Sequence, residues 1–515
     1  MAPFSRLARS NSLEIISIAK PFSNFDFIEI NFGGLLPLRR IMSQVRQHQG
    51  LTMVKEELAL EDADDLCEEN ADLKKRFQNF SDSKAFRLSF FSAAFHSERE
   101  LTDIGNSDFI GYAIIKCDDL PSGFNGTRVY ESVLPTSRHD NNYIKGEQEW
   151  ACYIAGNPMT VKGYLYAQQN GATNVCAHVA LRTVAARFHK DGDMTYGEMN
   201  RLLNIDVTRI NGLNQEQMVQ ILEAAGAHCI KIEYNANDPK TNQLPPFQKY
   251  LYGSIESGFP AIICFGTSSH NYHAIPVFGH TFNEDTWVPN AAIAYFQVGA
   301  STRYIPSESW LSTFIGHDDN CGSNFCIPRD YLYTNKYCDS MSTPGPCVKR
   351  EERVSCVLAT IPKTVKVNPV RAELIGVKYL FEMLKQLPAL SGAWQHRLTQ
   401  NRLVLRPILV TGPDYADHLS GISDWDNHSI HPAWANIIRK IMPNDYLWLI
   451  ELSVPELFAV NKRKVAEVLV RADAQGFVLA RLPGYFVLQA KQTPDAPTFV
   501  FVPSGIQNHV PLYGC

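Results

Sequence analysis

The sequence holds 515 residues, 45% of them hydrophobic and 20% charged, with a net charge of −5 and twelve cysteines. At roughly 150 residues per domain, this length suggests two to four domains, too apolar for a disordered scaffold. A pI near 6.3 disfavours a mainly electrostatic nucleic-acid binder, and without a run of about 18 apolar residues no membrane-spanning helix is expected.

The opening MAPFSRLARSNSLEIISIAKPF lacks the compact apolar core and small-residue cleavage site of a secretory signal. Its Arg and Ser content leaves an organelle transit peptide as a minor alternative. The dispersed cysteines are then expected to be mostly reduced and the protein cytoplasmic. Residues 1–85 read as an acidic lead-in, either a solvated helix or partly disordered. Glu56, Glu57, Glu61, Asp62, Asp64, Asp65, Glu68, Glu69 and Asp72 crowd one stretch, with only Leu58, Leu66 and Leu73 as an apolar stripe. Such a segment could also dock a basic protein partner.

Residues 86–160 change texture. Short β-branched and aromatic runs at Phe109–Ile115, Arg128–Leu134 and Trp150–Tyr166 predict strands, a β-rich region packed on the central domain. A polar loop from Gln168 to Asn174 then leads into Val175–Phe188, whose Ala180, Leu181, Val184, Ala185 and Phe188 share a helical face. Thr173 or Asn174 is the expected N-cap, which places Cys176 in the first turn. A helix is predicted over Asn214–Ala225, stopped by Gly226, followed by strands at Cys229–Ile232, Ala261–Phe265 and His273–Gly279. Residues 301–360 are rich in Ser, Asn, Asp, Pro and Cys and read as loop-dominated. From 357 to the end, helices at Ala372–Lys385 and Trp434–Ile441 alternate with strands at Leu447–Val454, Val465–Val470, Phe477–Leu482 and Thr498–Val502. This is a separate α+β domain with no motif that points to chemistry.

The chemistry-bearing pattern is a cysteine at a helix start with a histidine opening a later strand. A helix N-terminus favours thiolate. A nearby imidazole can take the thiol proton and later protonate the leaving group. Cys176 is the nucleophile candidate and His273 the base. Gln169, or alternatively Gln168, is the oxyanion donor candidate. Asn290, with Asp285 as second choice, would orient the imidazole. His178, His270 and His280 lie nearby. His178 reads as a surface or satisfied core side chain, His270 sits in a loop, and alternation along a regular strand would turn His280 to the opposite face from His273.

At these residues the chain resembles the papain-like cysteine peptidase superfamily, most closely the compact bacterial branch of C39 bacteriocin-processing peptidases. The resemblance spans roughly residues 160–300: Gln before Cys at a helix, helix–strand, apolar strand, His-Ala strand with a following Gly, then Asn or Asp. It implies an α+β fold, a papain-like domain over 161–356, and cleavage of a peptide or isopeptide bond of a protein or peptide substrate through an acyl-thioester, with no cofactor. The same geometry would also serve acyl transfer or deamidation. A non-catalytic interaction protein with a papain-like core, using the acidic segment or the C-terminal domain to bind a protein partner, is the rival reading. Cys321, Cys326, Cys338 and Cys347 could hold zinc, but their spacings are not those of paired CxxC ligands. No metal site is therefore assigned to them, and a cation role for Asp318 and Asp319 is likewise a minor alternative to a polar loop.

Overall fold

The computed structural model describes residues 4–19, 21–81, 83–136, 141–209, 212–234, 244–266, 272–282, 304–329, 354–387, 397–398, 403–423, 427–461, 463–474, 476–492, 497–506, 510–511 and 513. The fold is α+β, built on three larger antiparallel-rich sheets.

The first sheet is a meander of β1 (Ser10–Ser17), β2 (Thr52–Leu58), β3 (Lys84–Phe91), β4 (Phe109–Cys117) and β5 (Thr127–Val133). Helices α1 (Pro21–Phe32) and α2 (Leu36–Gln47) cover one face. Ile28, Leu38, Ile41 and Val45 bury there against Met53, Leu88, Phe90 and Ile115. Helix α3 (Asp64–Arg76) lies on the other face, and a short helix α4 (Glu98–Thr102) follows β3.

The expected solvated lead-in is therefore part of a folded layer. On α3, Asp65, Glu69 and Asp72 are buried, because each finds a partner: cations of β4 and β5 for Glu69, Ser5 for Asp65 and Lys75 for Asp72. Glu69 Oε2 lies 2.6 Å from both Lys116 Nζ and Arg128 Nη2, and Asp65 accepts from the Ser5 amide and hydroxyl. An acid is expelled to water only when no partner is available inside.

After β6 (Asn142–Ile144), the hairpin of β7 (Gln148–Ile154) and β8 (Asn157–Gly163) leads to α5 (Cys176–Ala185), α6 (Tyr196–Leu202) and α7 (Gln215–Ala225). Asn214 caps α7 by accepting from the Gln217 amide, while Gln217 reaches back to the Asn214 amide. Gly226, at φ +110°, ends it. The second sheet has seven strands. Its path runs β14 (Gly322–Pro328), β13 (Leu311–Asp318), β11 (Tyr272–Phe282), β10 (Ala261–Gly266), β15 (Val354–Pro362) and β9 (Ala227–Glu233), and β6 also pairs with β11. Residues 301–360 are thus less loop-like than their composition suggests. They supply the β13–β14 hairpin and β15, which sits inside the central sheet and crosses the expected domain boundary at 356/357.

Helix α5 is buried along nearly its whole length, although one apolar face was expected. The reason is that both of its sides are covered. Its Val179, Ala180, Leu181 and Val184 share one core with Ile114, Tyr130 and Val133 of the first sheet and with Ile262, Cys264, Ala274 and Leu358 of the second. Helix α8 (Phe247–Glu256) packs on the opposite face of the central sheet, where Leu251 and Ile255 meet Ile263, Ile275 and Val357.

The third sheet runs β12 (Tyr304–Pro306), β16 (Leu403–Thr411), β17 (Tyr446–Ser453), β19 (Ala466–Arg471), β20 (Phe477–Leu482), β21 (Tyr485–Gln492) and β22 (Pro497–Pro503), with β12 parallel to β16. The two-residue strand β18 (Arg463–Lys464) pairs separately with β23 (Val510–Pro511). Helix α9 (Pro369–Gln386) covers one face of this sheet; α10 (Gly412–Ser420) and α11 (Ala433–Ile441) cover the other. Among the described residues no helix is long and apolar enough to cross a membrane.

Candidate active site

The loop entering α5 is fixed by its own amides. Asn170 Oδ1 accepts from the backbone N–H groups of Ala172, Thr173 and Asn174, and Asn174 Oδ1 accepts from the Asn170 amide at 2.8 Å. Both carboxamide nitrogens then donate to Glu69 Oε1, at 3.0 and 2.9 Å. Burial works to raise the Glu69 pKa, but the charges of Arg128 and Lys116 outweigh it and hold the group below its usual value. A carboxylate from the supposed lead-in therefore anchors the turn before Cys176. With Asn174 engaged in that turn, the N-cap is Val175 rather than Thr173 or Asn174. Val175 has no acceptor side chain to compete for the amides of the first turn.

Arg182 fastens α5 further along. Its guanidinium meets Asp193 and Glu131, with Nη2–Oε2 at 2.5 Å. Arg6 joins the same buried cluster through Asp193.

Cys176 is half-buried at the helix start, its sulfur 3.9 Å from the Tyr272 carbonyl oxygen. His273 is the second residue of β11 and is only 4% exposed. Burial alone would lower its pKa. The neighbouring Asp318 carboxylate, then Cys176 and the charge of Asp319, outweigh burial and hold the ring well above its usual value. Its Nε2 stands 3.6 Å from Asp318 Oδ1 and 3.5 Å from Asp319 Oδ1. Asp318 feels burial pushing its pKa up, and more strongly His273 and the Asn320 and Cys321 amides pulling it down. Next to this group Tyr272 is 70% exposed, an aromatic ring at the rim.

The sequence-derived candidates separate. Cys176 and His273 come together. Asn290 and Asp285 lie outside the described residues. The acids that face the imidazole are Asp318 and Asp319, from the end of β13 and the turn after it. The sequence suggests for them a polar loop bordering the cleft, with a cation role as the minor alternative, and not partners of the imidazole. The signal that could have found them is the β-branched and aromatic run Thr313-Phe314-Ile315 ahead of the Asp-Asp-Asn turn, a hairpin strand able to lie beside the histidine strand.

Gln168 is committed elsewhere: its Oε1 accepts from Val129 N and its Nε2 donates to the Asp319 carbonyl at 3.1 Å. It braces the acidic turn. Gln169 is half-buried, and its carbonyl accepts from Asn125 Nδ2.

The other histidines have structural partners. His178 Nδ1 accepts from the Val175 amide, so Nε2–H donates to Asn200 Oδ1 at 2.9 Å; burial pushes its pKa down to about 4. His317 donates from Nε2 to the Tyr164 carbonyl and accepts at Nδ1 from Asn324, again with a pKa lowered by burial to about 4. His280 pairs with Glu256 at 2.7 Å. The pairing of β11 with β13 slips between Val277 and Gly279, so the regular alternation expected for His280 does not hold. His270 lies outside the described residues, as do Cys338 and Cys347. Cys321 is half-buried and Cys326 exposed. Among the described residues the grouping that could hold a metal ion is His273, Asp318 and Asp319.

No family model, curated protein or solved structure matches this chain.

Proposed function

We propose that the chain is a thiol hydrolase of papain-like type that cleaves an amide bond through an acyl-thioester, with Cys176 as nucleophile, His273 as base and Asp318 as the orienting acid. The observation that carries this reading is the convergence of one buried imidazole, whose Nε2 lies 3.6 and 3.5 Å from two carboxylates, with a helix-start thiol whose sulfur is 3.9 Å from the carbonyl of the neighbouring Tyr272.

His273 takes the Cys176 proton, and the sulfur attacks the carbonyl carbon. A C–S bond forms, and negative charge gathers on the oxygen, held by the first-turn amides of α5, with the Gln169 side chain as the remaining sequence candidate to assist. The imidazolium returns its proton to the amine nitrogen as the C–N bond breaks. Water, deprotonated by the same ring, then releases the acid and restores the thiol. With Nε2 turned to the two acids, the thiol proton is carried on Nδ1. The exposed Tyr272 ring offers apolar contact to a peptide chain beside the sulfur.

The test is a thiol-directed acyl probe applied to wild type and to Cys176→Ala. Labelling confined to wild type and mapped to residue 176 is expected; equal labelling of both proteins rejects the proposal. Product mass then separates hydrolysis from amine transfer and from deamidation.

A further inference from the structure

Three donor atoms converge beside the thiol. A ring nitrogen of His273 and one carboxylate oxygen each of Asp318 and Asp319 lie within 4.8 Å of one another and belong to buried residues. The Nε2–Oδ1 separations of 3.6 and 3.5 Å exceed the roughly 2.7–3.2 Å of an N–H···O bond. They match the edge of a ligand shell: bonds of about 2.0–2.2 Å at tetrahedral angles place neighbouring donors roughly 3.3–3.6 Å apart.

The donors are also held in place from behind, as metal ligands commonly are. Asp318 Oδ1 accepts from the Asn320 and Cys321 amides at 2.8 and 3.0 Å. Asp319 Oδ1 accepts from Asn320 Nδ2 at 3.2 Å. The Asp319 carbonyl receives Gln168 Nε2 and Tyr166 Oη at 3.1 and 3.4 Å. Two carboxylates and a neutral imidazole carry two negative charges, equal and opposite to a divalent ion. Half-buried Cys176, Asn320 and Cys321 border the group and give it a way in from solvent.

We propose that His273, Asp318 and Asp319 form a binding site for a divalent transition-metal ion such as zinc, and that its occupation withdraws the imidazole from Cys176. With the metal on Nε2, the neutral ring keeps its proton on Nδ1 and has no lone pair left for the thiol proton. The site would then be an off-switch set by the free concentration of the ion. This consequence for the thiol rests on the hydrolase reading; the binding does not.

Zinc chloride titrated into full-length Cys176→Ala, followed by calorimetry and by competition with a chelating dye, tests the binding. One bound zinc is expected, weakened at least 10-fold by Asp319→Asn and abolished by His273→Gln, each variant first shown to keep the wild-type circular dichroism. Unchanged affinity in those variants, or loss of binding in Cys321→Ala or Cys326→Ala instead, overturns the site. Alkylation of Cys176 by iodoacetamide tests the switch. Zinc is expected to slow it at least 10-fold in wild type, reversibly with EDTA, and to leave it unchanged in Asp319→Asn. Equal slowing in both proteins overturns the switch, since the metal would then be acting on the sulfur. A Cys176 that no probe labels rejects the hydrolase reading and leaves the calorimetric result standing.

Discussion

The two ends of β11 each bury a histidine beside a carboxylate, and the difference between them separates chemistry from architecture. At His280 the carboxylate is Glu256, which also receives Arg406 at 2.6 Å; Arg406 continues to Glu451, and Glu451 to Lys464. Charges alternate, and this chain ties the central sheet to the third one. At His273 two carboxylates converge on one ring that also neighbours a half-buried thiol. The first arrangement is balanced and closed, which suits a structural joint. The second concentrates negative charge around a proton acceptor at the border of solvent, which suits proton transfer.

The comparison breaks most visibly if reactivity follows the wrong end. His273→Ala should slow acylation of Cys176 by about 10²–10⁴-fold, the usual worth of a general base, while His280→Gln leaves the rate within a few-fold; single-turnover labelling decides. Conversely, Glu256→Gln should cost stability, about 3–5 kcal/mol by denaturant titration, because it strips the counter-charge from buried Arg406. A smaller loss than Asp318→Asn causes would reverse the assignment of roles. Asp318→Asn should lower Cys176 labelling about 10-fold or more through a misoriented ring, with circular dichroism unchanged.

A pH series sharpens the contrast further. The folded pKa of His273 is raised above its unfolded value of about 6.5. Its contribution to stability is therefore fully present below about pH 6.5 and is lost as pH rises through the folded value. The stability difference between wild type and His273→Gln should shrink steadily on the alkaline side. A gap that widens with pH would contradict the charged ring. The smallest effect is expected from Gly316→Ala. A Cβ there would lie 2.3 Å from the Pro276 carbonyl oxygen, so β13 must shift, and Asp318 with it. Labelling should fall a few-fold.

The site was partly legible in the sequence because its first half is local. A polar loop followed by an apolar helical stripe marks the start of α5, and Asn214 with Gly226 brackets α7 closely. The C-terminal elements were readable for the same reason: α9 and α11 carry strong helical periodicity, and β20 spans Phe477–Leu482 as expected. What could not be read depends on long-range partners. Glu69 and Asp65 look like surface acids until Lys116, Arg128 and Ser5 are brought to them. Strand β15 follows a Ser- and Cys-containing stretch, and only its neighbours β10 and β9, about a hundred residues upstream, make it a central strand. Asp318 is acidic loop chemistry in one dimension and the partner of His273 only once β13 lies beside β11.

The link from Glu69 to Asn170 and Asn174 has a consequence for how the chain could be processed. A prosegment that restrains a thiol enzyme must be able to leave without disturbing the nucleophile. Here residues 1–85 supply two strands of a sheet, β1 and β2, and the clasp beneath the loop before Cys176, so excising them would dismantle the turn that carries the thiol.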